Sequence, residues 1–195
     1  MDTLSFRLLI AFTSLYLLVG AIYFLQSLNF EFIVYVVVLL GIFAGIMSIQ
    51  SRVRFPTWLL WLLSFWGLMH VLGGSFPTSD GVLFAYRIYP FIDLGGEFYI
   101  LKYDQFVHLY LYGVVAVMSY HLIRYKLLPK GQNTLVFLLA VMASLGISGM
   151  NEIMEFFISL TVQNGVGGYV NTMLDMCSNL TGAVVATTAY VMFKK

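Results

Sequence analysis

Six apolar runs, each close to the length that crosses a bilayer, recur along this 195-residue chain, and no other feature restricts its fold as strongly. A hydrocarbon core ~30 Å thick needs about 20 apolar residues of helix to cross it, at ~1.5 Å of rise per residue. Runs of that kind fall at about 5–26, 31–50, 56–72, 104–124, 134–160 and 171–193. Only 10% of the residues are charged, against about 25% in a soluble domain, and the mean hydropathy is +0.90. The expected fold is an all-α integral membrane protein, a bundle of about six transmembrane helices forming a single polytopic domain over residues 1–195. The first run follows one arginine, Arg7, and no small-residue cleavage site closes it. It therefore reads as a retained span rather than a signal peptide.

The cationic residues orient this arrangement. With the N-terminus in the cytoplasm, Arg7, Arg52, Arg54, Arg124, Lys126, Lys130, Lys194 and Lys195 share the cytoplasmic side, and only Arg87 and Lys102 fall opposite. Eight against two satisfies the positive-inside rule with both termini cytoplasmic. The connection over residues 73–103 is then extracytoplasmic. Its aromatic and β-branched runs, Val82 to Tyr89 and Phe98 to Leu101, flank Gly95-Gly96 and read as a β-hairpin, with a re-entrant helix as the competitor. Gly41 and Gly45 on the second span read as a small-residue helix-packing face. A net charge near +1 and the absence of a basic stripe exclude a nucleic-acid partner. One cysteine, Cys177, can form neither an intrachain disulfide nor a cysteine zinc site.

The polar residues inside the spans are few and unevenly placed. Asp104 and His108 open the fourth span at i and i+4. Glu152 and Glu155 come late in the fifth at i and i+3, and Asp175 and Asn179 come early in the sixth at i and i+4. His70 closes the third. Residues at these spacings share a helix face. Because neighbouring spans alternate in direction, all six ionisable groups lie within roughly 12 Å of one membrane face at the helical rise. A charged side chain at mid-bilayer costs roughly 2.5–3.5 kcal/mol on insertion scales, a large share of the ~5–15 kcal/mol that stabilises a whole protein. Four carboxylates at one level demand compensation. A divalent cation supplies it, since carboxylate with imidazole is a ligand set for zinc, iron or manganese. Helical proteins build such sites from short i/i+3 and i/i+4 pairs on separate helices. The expected ligands are His70, Asp104, His108, Glu155 and Asp175, with Glu152 as a general base and Asn151, Asn171 and Asn179 as further polar groups of the site. Zinc is the first expectation for the metal, with iron or manganese next. A metal-free relay and a purely structural polar cluster are the competing readings.

Three motifs in order, Tyr103-Asp104-Gln105-Phe106-Val107-His108, Glu152 with a polar residue three positions on, and Asp175-x-x-x-Asn179-x-x-Gly182, resemble the VanZ-like superfamily of small membrane proteins. The closer resemblance is to a branch of uncharacterised prokaryotic inner-membrane proteins, which shares a His-x-x-Gly-Gly, here His70 to Gly74, and a Glu-x-x-Glu pair. The resemblance covers about residues 58–190. Where that branch often has an acidic residue this chain has Asn171, and where VanZ-like proteins usually have Gln it has Glu155. The resemblance implies a prokaryotic cytoplasmic-membrane protein and supplies no established reaction.

Three functions compete at this level. The leading expectation is a metal-dependent hydrolase acting on a lipid or lipid-linked headgroup at the outer leaflet. A proton- or ion-coupled transporter predicts polar residues running on through the inner halves of the spans. A scaffold predicts that the cluster only fixes helix register.

Overall fold

The computed structural model describes residues 3–28, 30–79, 81–127, 131–160 and 168–193. Among them are six helices long and apolar enough to cross a membrane: α1 (Thr3–Gln26), α2 (Phe30–Val53), α3 (Thr57–Ser75), α4 (Tyr103–Leu122), α5 (Asn133–Ser159) and α6 (Tyr169–Phe193). Between α3 and α4 lie the short strands β1 (Pro77–Thr78) and β2 (Gly81–Val82), a 3-10 turn at Leu83–Ala85, and the hairpin of β3 (Arg87–Gly95) and β4 (Phe98–Lys102). The chain divides into two compact units, residues 1–86 and 87–195.

In the first unit, α1 packs on α3 through small and hydroxyl-bearing residues. Thr13 and Ser64 share a buried hydrogen bond of 2.6 Å, and Trp61 Nε1 donates to Ser5 Oγ at 3.2 Å. The turn from α2 into α3 is tightly made. Arg54 takes a left-handed conformation (φ +58°) that ends α2, as helix C-termini favour. The Gln50 side chain then brackets the next residue, donating to Phe55 O at 2.8 Å and accepting from Phe55 N at 3.1 Å. Pro56, extended at φ −57° and ψ 139°, is the N-cap residue just before α3, and it has no N–H to leave unpaired. Gly41 and Gly45 do not form the packing face expected of them, since a Cβ at either meets nothing within 4 Å. Helix α2 buries Phe32, Tyr35, Val36 and Leu39 instead, a face whose large side chains gain van der Waals contacts with their neighbours.

The second unit opens with the expected hairpin. Gly95 and Gly96, both at positive φ, carry its turn, and the strands pair antiparallel from Gly95–Phe98 back to Arg87–Lys102 with two irregularities in register. Its first strand begins later than the Val82 to Tyr89 run suggests, because Leu83–Ala85 coil into the 3-10 turn. Strand β4 runs straight into α4, and Gln105 fixes the joint. Its buried side chain accepts from Leu101 N at 2.7 Å and Lys102 N at 3.2 Å, and donates to Tyr99 O at 2.8 Å.

Helices α4 and α6 approach closely because Gly182 has no side chain. A methyl there would overlap the Leu109 carbonyl, and at Gly113 a Cβ would lie 3.0 Å from Ala186 and 3.1 Å from Gly182 O. Small residues at such crossings are how helices associate in lipid, where no hydrophobic drive separates protein from solvent. Ala116, Val141 and Ala183 continue the contact into α5, packed by Phe137 and Leu145. Gly182→Ala is expected to cost about 1–3 kcal/mol by overpacking, read as a lower unfolding midpoint of the detergent-solubilised protein. Gly41→Ala, with open space around its Cβ, leaves the midpoint unchanged or slightly raised, since alanine favours the helix over glycine.

Candidate metal centre

The close α4–α6 crossing sets the scale of the site, because Gly182 lies three residues beyond Asn179. One helical turn toward the hairpin from that crossing, His108 sits at the centre of a carboxylate ring, only 7% exposed. Its Nε2 lies 3.6 Å from Asp104 Oδ1 and 4.0 Å from Glu155 Oε1. Its Nδ1 lies 3.5 Å from Glu152 Oε1 and 3.1 Å from Asn179 Oδ1. Asp175 is fully buried and Glu152 is 7% exposed. Two sets of ligand atoms, Asp104–His108–Asp175 and His108–Glu152–Glu155, each lie within 4.8 Å of one another. Both include His108. Three helices thus bring four of the sequence-predicted ligand and base residues around a fifth, the His108 imidazole.

Each expected asparagine holds one member of this ring. Asn151 Nδ2 donates to Glu155 Oε1 at 2.7 Å, and Asn171 Nδ2 donates to Asp175 Oδ2 at 2.6 Å. Asn179 Nδ2 donates to Ser148 Oγ at 2.6 Å, which turns its Oδ1 toward His108 Nδ1. The pairs Asn151–Glu155 and Asn171–Asp175 both have i, i+4 spacing, so each amide orients a carboxylate on its own helix. Lys102 Nζ reaches Asn171 Oδ1 at 3.4 Å, placing a cation beside the ring without directly neutralising Asp175.

These partners leave a deficit. Both Glu152 oxygens and Asp175 Oδ1 are buried with no hydrogen-bond partner among the described residues. A buried acceptor left unmatched costs about 1–3 kcal/mol, and more when charged. Three such oxygens beside an imidazole are the donor set a divalent cation takes, and the asparagines supply the outer hydrogen bonds that orient metal ligands. The residues fit a metal ion.

His70 lies in the first unit, where its ring packs against Tyr35, Phe84 and Trp66 at centroid distances of 5.2, 5.2 and 5.6 Å. Neither ligand set includes it. Ser148 was the residue the sequence undersold: fully buried, it is the support of Asn179. Its spacing was the available signal, since Ser144, Ser148 and Glu152 recur every four residues on α5.

A chain with six bilayer-length helices and a buried carboxylate–histidine cluster on three of them is a polytopic membrane protein. The model of the predicted membrane protein family DUF2238 matches residues 6–195, and the chain belongs to that family. No curated protein and no solved structure matches it.

If the ring answers to a cation, its charges work against the metal-free fold. Asp175→Asn keeps the acceptor for Asn171 and removes one charge. It should stabilise the chelator-treated protein by on the order of 1 kcal/mol, measured as a raised unfolding midpoint. A cluster serving only as structural glue gives a lowered midpoint.

Proposed function

We propose that this chain binds a divalent cation through Asp104, His108, Glu155 and Asp175 and hydrolyses an ester or phosphoryl bond of a lipid or lipid-linked headgroup. The observation that carries the reading is that Asp104, His108 and Asp175, and again His108, Glu152 and Glu155, offer ligand atoms within 4.8 Å of one another, with Asp175 Oδ1 and both Glu152 oxygens buried and unpartnered among the described residues. The single nitrogen and several oxygens of the donor set suit zinc, iron or manganese. A divalent cation there supplies Lewis-acid polarisation of the scissile group and lowers the pKa of water. Glu152, whose two oxygens meet the hydrogen-bond criteria with none of the described residues, is the residue placed to act as general base. Asn179 and Asn151 keep His108 and Glu155 in place while it does so.

The hairpin supports a membrane-surface substrate. Along β3, Ile88, Tyr89, Phe91, Ile92 and Leu94 are all exposed, an apolar ribbon joined directly to the helix that carries Asp104 and His108. Such a ribbon rests in the headgroup region and borders the route to the site. The excess of basic residues at the opposite helix ends supports an outer, extracytoplasmic position for this face.

Metal analysis of protein purified without added metal tests the binding step. About one divalent ion per chain is expected, lost in His108→Ala and in Glu155→Ala. Glu152→Gln should keep the ion and lose hydrolysis of a fluorogenic phospholipid by roughly 10²-fold or more. Well-folded protein without metal ends the proposal.

A relay is the second reading, and one feature favours it. Ser148, Ser144 and Thr187 are fully buried beyond the ring, and Ser144 Oγ donates to Tyr112 O at 2.8 Å, so the polar interior extends further along the helices than their composition suggests. In proteoliposomes, proton or ion flux abolished by Glu152→Gln would select this reading over hydrolysis.

A further inference from the structure

The first unit holds a second polar feature, unrelated to the carboxylate ring. At the end where α1 begins and α2 turns into α3, a cavity of about 660 Å³ is lined by Phe6, Met47, Gln50, Arg54, Phe55 and Thr57, among others. That volume falls within the range of small-molecule pockets, about 300–1,000 Å³. Its cation is Arg54, exposed and held at φ +58°, a left-handed conformation that an arginine adopts only under constraint. The constraint is visible. The Gln50 side chain clamps Phe55 from both backbone sides, and Pro56 follows at once, so the guanidinium is carried on a fixed turn. Arg52 lies two residues before it and Arg7 directly follows the lining residue Phe6. Among the described side chains of the first unit none is acidic.

Met47 also lines a narrow apolar slot, with Leu9, Leu17, Leu39, Phe43, Ile46 and Leu60 among others. At about 30 Å³ the slot is too small to enclose an acyl chain; beside it α2 exposes Leu40 and Ile42, an apolar crease against which one side of such a chain can lie. From Met47 to Leu39 it follows α2 for roughly 12 Å at the helical rise. A cationic pocket at the end of a span that continues as an apolar crease has the polarity of a phospholipid.

We propose that this crevice is a binding site for one anionic phospholipid, with its phosphate at Arg54 and an acyl chain along the crease. Arg54 in the lining, with Arg52 two residues before it and Arg7 next to Phe6, favours an anionic headgroup over a zwitterionic one. The apolar walls Phe6, Met47 and Phe55 select against a soluble phosphate. Basic pockets between spans recognise lipid headgroups in this way, each basic residue near the surface contributing about fivefold in affinity.

Native mass spectrometry of the full chain in detergent, titrated with equal phosphatidylglycerol and phosphatidylcholine, tests it. The expected result is one retained phosphatidylglycerol, preferred by at least about fivefold. Arg54→Gly removes the charge and suits the left-handed turn, so the protein stays folded while the preference falls by about fivefold. Met47→Trp fills the junction and weakens both lipids. Arg87→Gln, in β3, changes nothing. Equal retention of the two lipids, or a preference untouched by Arg54→Gly, overturns the proposal. Glycerol phosphate that displaces phosphatidylglycerol at equal concentration also overturns it, by showing a soluble-phosphate site.

Discussion

Carboxylates withdrawn from water around a single imidazole are the constraint on which the second unit is built. Inside a bilayer-length helix pack there is no solvent to hydrate them, so every nearby group must orient or offset a charge. That explains why three asparagines stand within one helical turn of Glu155, Asp175 and His108. An amide is suited to the task because its NH₂ donates to a carboxylate while its carbonyl remains available to a second donor. Asn171 uses both ends, donating to Asp175 and accepting from Lys102. Asn179 uses both between Ser148 and His108. The charged centre is thereby linked to neutral groups on its flanks.

Positioning such a ring requires the backbones themselves to be fixed. Two devices do this at opposite sides of His108. Toward the hairpin, Gln105 ties the last residues of β4 to the first turn of α4, setting the rotation of Asp104 and His108. Away from it, Gly182 lets α6 meet the Leu109 carbonyl, so that Asp175 and Asn179 come within reach of α4. A larger residue at the crossing would push the two helices apart by the thickness of a methyl group, more than the margin between a 3.1 Å hydrogen bond and none. The small residue and the polar ring are one arrangement.

The six spans were legible because bilayer thickness imposes a length that composition alone reveals. The ring was legible for a similar reason: i, i+4 and i, i+3 spacings on antiparallel spans leave little freedom in which faces converge. The hairpin was legible from Gly95-Gly96, where two left-handed residues are needed. What escaped were features decided by contacts between elements. Gly41-x-x-x-Gly45 and Gly182 look alike in sequence, yet only Gly182 meets another helix, because the choice of packing face depends on the partner. His70 has the same chemistry as His108, but the rings of Tyr35, Trp66 and Phe84 around it are assembled from separate parts of the chain. Leu83–Ala85 continue an aromatic, β-prone run and still coil, lying between Val82, which pairs with Pro77, and Arg87, which pairs with Lys102.

A cluster evolved only to hold helices in register would satisfy itself. Buried polar groups stabilise a fold when every lone pair and proton is matched, and a half-matched network is worse than apolar packing. Here the matching is selective. Asp175 Oδ2 and Glu155 Oε1 each accept an amide proton, while Asp175 Oδ1 and both oxygens of Glu152 have no hydrogen-bond partner among the described residues. The neighbouring Ser148 hydroxyl is committed to Asn179 and the sulfur of Met176 rather than spent on either acid. Acceptor atoms held buried and unmatched cost stability, about 1–3 kcal/mol each, and a positively charged or proton-donating group entering the ring would offset that cost. The arrangement of this region is one that could hold a cation.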